Sequence, residues 1–123
     1  MSNKSYEIRS SFDEDMLKVI ISGSLVKEEA INIAQTVFET FDLYKPDKVL
    51  IDCTLLTGRL GVTETFILVS KFKHSKHRPS RVAVFDNPEN KDYFSFHETT
   101  GLNRGLSARF FSNLTEALRW LHE

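Results

Sequence analysis

The stretch IDCTLLTGRLGVTE, residues 51–64, brings together Asp52 at a strand end, the hydroxyls of Thr57 and Thr63 on the helix side, and Arg59, which Gly58 and Gly61 bracket. An arginine between glycines at a strand-to-helix junction could meet an anion. Free N–H groups at a helix start attract negative charge, and open α/β sheets bind ligands beyond the carboxyl ends of their strands. Asp52 could orient a ligand hydroxyl, and Thr57 or Thr63 could accept a phosphoryl group. The spacing matches neither G-x-x-x-x-G-K-[ST] nor G-x-G-x-x-G, so no nucleotide motif supports that chemistry. The simpler reading of the same residues is a tight turn, with Asp52 bonding nearby backbone N–H groups.

Three further groups bear on chemistry. The segment KFKHSKHRPSR, residues 71–81, carries Lys71, Lys73, Lys76, Arg78 and Arg81, with no acid between Glu64 and Asp86. It could bind a phosphate-bearing ligand, an acidic partner or an anionic surface, or it could simply be a solvated helix end whose cations complement the dipole. His74 and His77 lack a nearby third ligand and sit among cations, so no metal site is expected. Cys53 continues an apolar strand, which suits a packed thiol better than a nucleophile. Asp86, His97, Glu98 and Arg104 form a mixed polar set that could join Asp52 in acid–base work, and this is the enzymatic alternative. No catalytic residue and no cofactor is assigned.

The 123 residues carry 16 Lys and Arg against 17 Asp and Glu, a formal net charge of -1. That balance argues against a dedicated nucleic-acid binder. The length suits a single domain, 1–123, burying about two-thirds of its unfolded surface without disulfides or metal. One cysteine fits a reducing compartment, and cytoplasm is the expectation. No window approaches the roughly 18 apolar residues that a membrane-spanning helix needs.

The elements that would position these residues follow from periodicity. Tyr6 and Ile8, an acidic turn at Asp13, Glu14 and Asp15, then Leu17, Val19 and Ile21 predict two antiparallel strands. Apolar residues at 30, 33, 34, 37, 38 and 41 predict a first helix over 27–43, with Pro46 beyond it. KVLID is a short, uniformly apolar run, expected as a central strand covered on both faces and ending at Asp52. Thr63 would cap a second helix with Phe66, Ile67 and Val69 inside, ending before Pro79. RVAVFD supplies another buried strand over 81–86, and a third helix is expected over 88–100 behind an Asn87 cap. A last strand near 108–111 leads to a fourth helix, opened by Asn113 and Glu116, with Leu114, Ala117, Leu118 and Leu121 inward. Tyr93, Phe94 and Phe96 would cover the core, line a pocket or form a dimer contact.

The hairpin start, VLID, RVAVF and the closing ARFFSNLTEALRWL together resemble the SpoIIAA-like or STAS-like domains. The likeness is nearest to a small stand-alone bacterial branch that ends in Ala-x-x-Trp-Leu, here Ala117, Trp120 and Leu121. The resemblance implies an α/β fold: a mixed five-stranded sheet with an N-terminal antiparallel hairpin, then βα units, with four helices. It also implies a non-enzymatic regulatory or ligand-binding role, with a protein partner or a small anionic or lipid-like ligand, often controlled by phosphorylation. The family's regulated loop carries Asp-Ser-x-Gly after the central strand. The equivalent stretch here has no serine, and Thr57 and Thr63 are its hydroxyls on the helix side. The surface expected from this resemblance comprises Asp52, Thr57, Gly58, Arg59, Gly61 and Arg81, and a homodimer remains open.

Overall fold

The computed structural model describes residues 5–60, 79–92 and 108–123. Its core is a mixed five-stranded sheet in the order β1-β2-β3-β4-β5. β1 (Tyr6–Asp13) and β2 (Met16–Ser24) pair antiparallel across a two-residue turn, with Tyr6 opposite Gly23 and Asp13 opposite Met16. β3 (Lys48–Thr57), β4 (Arg81–Phe85) and β5 (Ala108–Phe111) then add in parallel. Two α-helices are present among the described residues, α1 (Ala30–Tyr44) and α2 (Leu114–Leu121).

The first and last of the four expected helices are therefore α1 and α2. The second lies outside the described residues. The third begins as a 3-10 turn at Pro88–Asn90 and is helical at Lys91 and Asp92, and the rest of its expected span is outside them. Asn87 makes no side-chain cap bond there; its Nδ2 instead donates to the Thr54 carbonyl at 3.4 Å.

Alternation decides which residues face which layer. Leu17, Val19 and Ile21 of β2, Val49 and Cys53 of β3 and Val82 of β4 pack with Ile33, Val37 and Phe41 of α1. On the opposite face Leu50 and Ala83 meet Ala117, Trp120 and Leu121 of α2. β3 is thus covered on both faces, which is why KVLI needs no polar alternation. In α2, Trp120 occupies the inner stripe where Leu114 was expected, and Leu114 is exposed. Asn113 Oδ1 accepts from the Glu116 N–H at 3.0 Å, satisfying one of the free donors at the helix start.

β3 does not end at Asp52. It runs five residues further, and Ser22, Gly23 and Ser24 of β2 lie opposite Leu55, Leu56 and Thr57. The register slips between Ile20 and Ser22, so β3 carries one extra residue and its inward positions pass from Cys53 to Leu56. Asp52 Oδ1 accepts from the Thr54 N–H at 2.9 Å and the Thr54 hydroxyl at 2.7 Å, occupying polar groups at the bulge. The bulge breaks the period-2 pattern, and that is why CTLLT does not read as strand.

α1 ends at Lys45, whose φ of 51° is left-handed and whose N–H reaches the Phe41 carbonyl at 2.8 Å. A side chain resists that conformation and glycine does not. Lys45→Gly is expected to stabilise the fold by about 0.5–1 kcal/mol, read as a higher urea midpoint with an unchanged slope.

Candidate functional site

The carboxyl ends of β2, β3 and β4 converge on the loop that the sequence singled out. After Thr57 the chain turns at Gly58, whose φ is +87° and where a Cβ would lie 2.9 Å from the Leu25 carbonyl oxygen. Only glycine satisfies both conditions without strain. The turn directs Arg59 back against the sheet, where its side chain is 8% exposed.

Every N–H of the Arg59 guanidinium then finds an internal acceptor. Nε and Nη2 donate to Asp86 Oδ2 at 3.1 and 2.7 Å. Nη1 donates to the Leu56 and Gly58 carbonyls at 2.7 and 2.6 Å, and Nη2 donates also to the Cys53 carbonyl at 3.0 Å. Those are all the donors an arginine has. Asp86, fully buried just beyond β4, accepts at its other oxygen from the Asn87 N–H at 2.7 Å, and its own N–H donates to the Phe111 carbonyl at 3.1 Å. The pair therefore fastens the end of β3 to the ends of β4 and β5. No buried side-chain nitrogen or oxygen among the described residues lacks a partner.

Arg59 is consequently an internal clamp, with no N–H left for an external anion. Asp52 is half-buried, with Oδ1 committed to Thr54. Thr57 is exposed at the strand end; its hydroxyl donates to the Gly23 carbonyl at 3.1 Å and lies 3.2 Å from the Ser24 hydroxyl. Leu55 beside it is 65% exposed.

Arg81 does not join this group. It starts β4, whereas Asp86 follows the end of β4, roughly 17 Å away at the usual rise per residue. Its guanidinium lies 5.2 Å from the centre of the Trp120 ring and donates to the Trp120 carbonyl. Gly61, Thr63, residues 71–78, Tyr93, Phe94, Phe96, His97, Glu98 and Arg104 lie outside the described residues. Sequence reasoning grouped Asp86 with His97 and Glu98 and did not foresee it as the counter-ion of Arg59. The available signal was a carboxylate placed directly after a buried strand, where it must find a partner. Among the described residues no three His, Cys, Asp or Glu come together as a metal site.

Cys53 is buried beneath the clamp, and burial, with the Asp86 charge adding to it, pushes its thiol pKa up to about 12 from 9.0. Only the unfolded thiol titrates between those values. The folded state then binds the extra proton, so stability contributed by Cys53 is complete below pH 9.0 and falls as pH rises towards about 12. The expected slope is at most about 1.4 kcal/mol per pH unit, and Cys53→Ala should remove that part of the alkaline loss in urea titrations. A thiol reagent at pH 8 is expected to label denatured but not native chain.

No family model matches the sequence, and no curated protein matches it. Solved structures do match. An anti-sigma factor antagonist from Mycobacterium paratuberculosis superposes with a TM-score of 0.62 at 15% identity, over 99% of this chain and 98% of that one. An uncharacterised DUF3478-family protein with a SpoIIAA-like fold from Shewanella loihica PV-4 gives 0.56 at 21% identity, over 98% of each chain. At such identities the likeness establishes the fold, which is SpoIIAA-like. No helix among the described residues is long and apolar enough to cross a membrane.

Proposed function

We infer that this chain is a non-enzymatic, cytoplasmic regulatory module that binds a protein partner at the carboxyl edge of β2 and β3. The observation that carries this reading is the pairing of exposed Leu55 and Thr57 with a loop held rigid from inside by the Arg59–Asp86 pair. A contact surface gains affinity when its backbone is already ordered, because less entropy is lost on binding. Full commitment of the Arg59 donors supports a protein contact over a small anionic or lipid-like ligand at this edge. The SpoIIAA-like fold adds support, since one solved neighbour is described as an anti-sigma factor antagonist.

Thr57 is the phospho-acceptor this reading puts forward. A phosphate there would replace a hydroxyl donor to Gly23 with nearly two negative charges beside a carbonyl, disturbing the β2–β3 edge. The test is affinity capture from the native host with wild type, Leu55→Arg and Thr57→Glu. A retained protein that both variants lose, with circular dichroism unchanged, is the expected result. Retention that ignores both substitutions, or no retained protein, would overturn the reading.

A further inference from the structure

We propose that the outer edge of β1 is a homodimer interface, in which two chains pair β1 antiparallel about a two-fold axis through Ile8. β1 is the edge of the sheet, eight residues long, and its register with β2 is unbroken. It contains neither proline nor lysine nor a bulge, the devices that commonly blunt an edge strand. The Ser5 carbonyl accepts from the Ser24 N–H at 2.8 Å, which turns the backbone groups of odd-numbered residues towards β2. By the alternation of an antiparallel ladder, the N–H and C=O groups of Ile8, Ser10 and Phe12 point away from the sheet.

Charge pattern selects the register. Even-numbered residues must form the hydrogen-bonded pairs, so the axis can pass near residue 8, 9, 10 or 11. An axis at Ser11 pairs Arg9 with Asp13 but sets Glu7 against Asp15 in the acidic turn of the second copy. An axis at Arg9 sets two guanidiniums against each other in a close, non-hydrogen-bonded pair. An axis at Ser10 sets Glu7 against Asp13 of the second copy, twice. The axis at Ile8 sets Glu7 against Arg9 and Arg9 against Glu7, with Ile8 facing Ile8. Within one chain Glu7 and Arg9 already meet at 2.9 Å on the exposed face, with side chains 58% and 75% exposed, so both are free to turn to a second copy. Such cross-strand pairs contribute modestly, so they fix register more than affinity. The surface is the outer side of β1, whose first residues lie beside the carboxyl end of β2, and its test on the purified chain reads self-association without the partner proposed at that end.

Sedimentation equilibrium provides the test. Wild type is expected to shift from monomer to dimer as concentration rises. Glu7→Arg and Arg9→Glu chains should each weaken self-association about tenfold, yet associate with one another when mixed, because opposite charges then face each other. Ser10→Pro, which puts a ring on the outer edge where no bond to β2 is lost, should give folded monomer by circular dichroism. Ile8→Cys should cross-link under mild oxidation, since paired Cα atoms about 5.5 Å apart suit a disulfide. A wild type that stays monomeric to about 1 mM, a dimer indifferent to Ser10→Pro, or a dimer that Glu7→Arg strengthens would overturn the proposal.

Discussion

Arg59→Met is expected to destabilise the fold by about 3–5 kcal/mol, because it leaves the fully buried Asp86 carboxylate without its counter-ion. Methionine fills much of the arginine stem's volume, so the loss measures electrostatics and hydrogen bonding more than a cavity. Removing both groups should be far milder. In Arg59→Met/Asp86→Leu no charge remains buried, and stability should return to within about 2 kcal/mol of wild type. Urea unfolding of the two single variants and the double closes the cycle. A nearly additive double variant would mean that the pair does not act as a unit. Arg59→Lys is a sharper probe still. It keeps the charge, but an ammonium cannot reach Asp86 and three carbonyls together, so it should remain well below wild type. Loss of the clamp should also release the turn that presents Thr57 and Leu55, so partner capture would weaken in the single variants even at temperatures where they remain folded.

On the α2 face of the sheet, Trp120→Ala is expected to cost a comparable ~3–5 kcal/mol by a different route. Trp120 is 8% exposed and packs with Leu50, Ala83 and Leu121, its ring 5.5 Å from Phe111. Arg81 and Arg109 place guanidiniums 5.2 and 5.6 Å from the same ring. The substitution therefore opens a cavity and removes the aromatic face that two cations share. Trp120→Phe keeps a ring and most of the apolar contact, and about 1–2 kcal/mol is expected for it. Circular dichroism is the suitable readout, because the chain has a single tryptophan and both variants remove its fluorescence. Partner capture by the folded fraction should be unchanged, since Trp120 packs with Leu50, Ala83, Leu121 and Phe111, none of which forms the Leu55–Thr57 edge. That contrast with Arg59 separates a stability effect from an effect on the contact edge.

Strand identities were legible wherever side chains alternate or run uniformly apolar. Tyr6, Ile8, Leu17, Val19 and Ile21 announced the hairpin, and Val49, Leu50 and Val82 announced buried parallel strands. The second half of β3 was hidden because its bulge moves Leu55 outward and Leu56 inward, so two adjacent leucines belong to opposite environments. The inner stripe of α2 misled in the same manner: Leu114 is as apolar as Leu121, and only the position of the sheet beneath makes one exposed and the other buried.

For the candidate site, residue types and short spacings pointed to Gly58 in a tight turn, to Asp52 bonding nearby groups and to a packed Cys53, beside a ligand-facing reading of Gly58 and Asp52. Each of these depends on neighbours within a few residues. Tertiary structure alone decided that Arg59 faces inward, that Asp86 holds it across 27 residues of chain, and that Arg81 stands at the other end of the sheet. The reason is physical. A buried charge is tolerable only where acceptors from several strands converge, and that convergence is created by strand order and register, which bring together groups the linear sequence keeps apart.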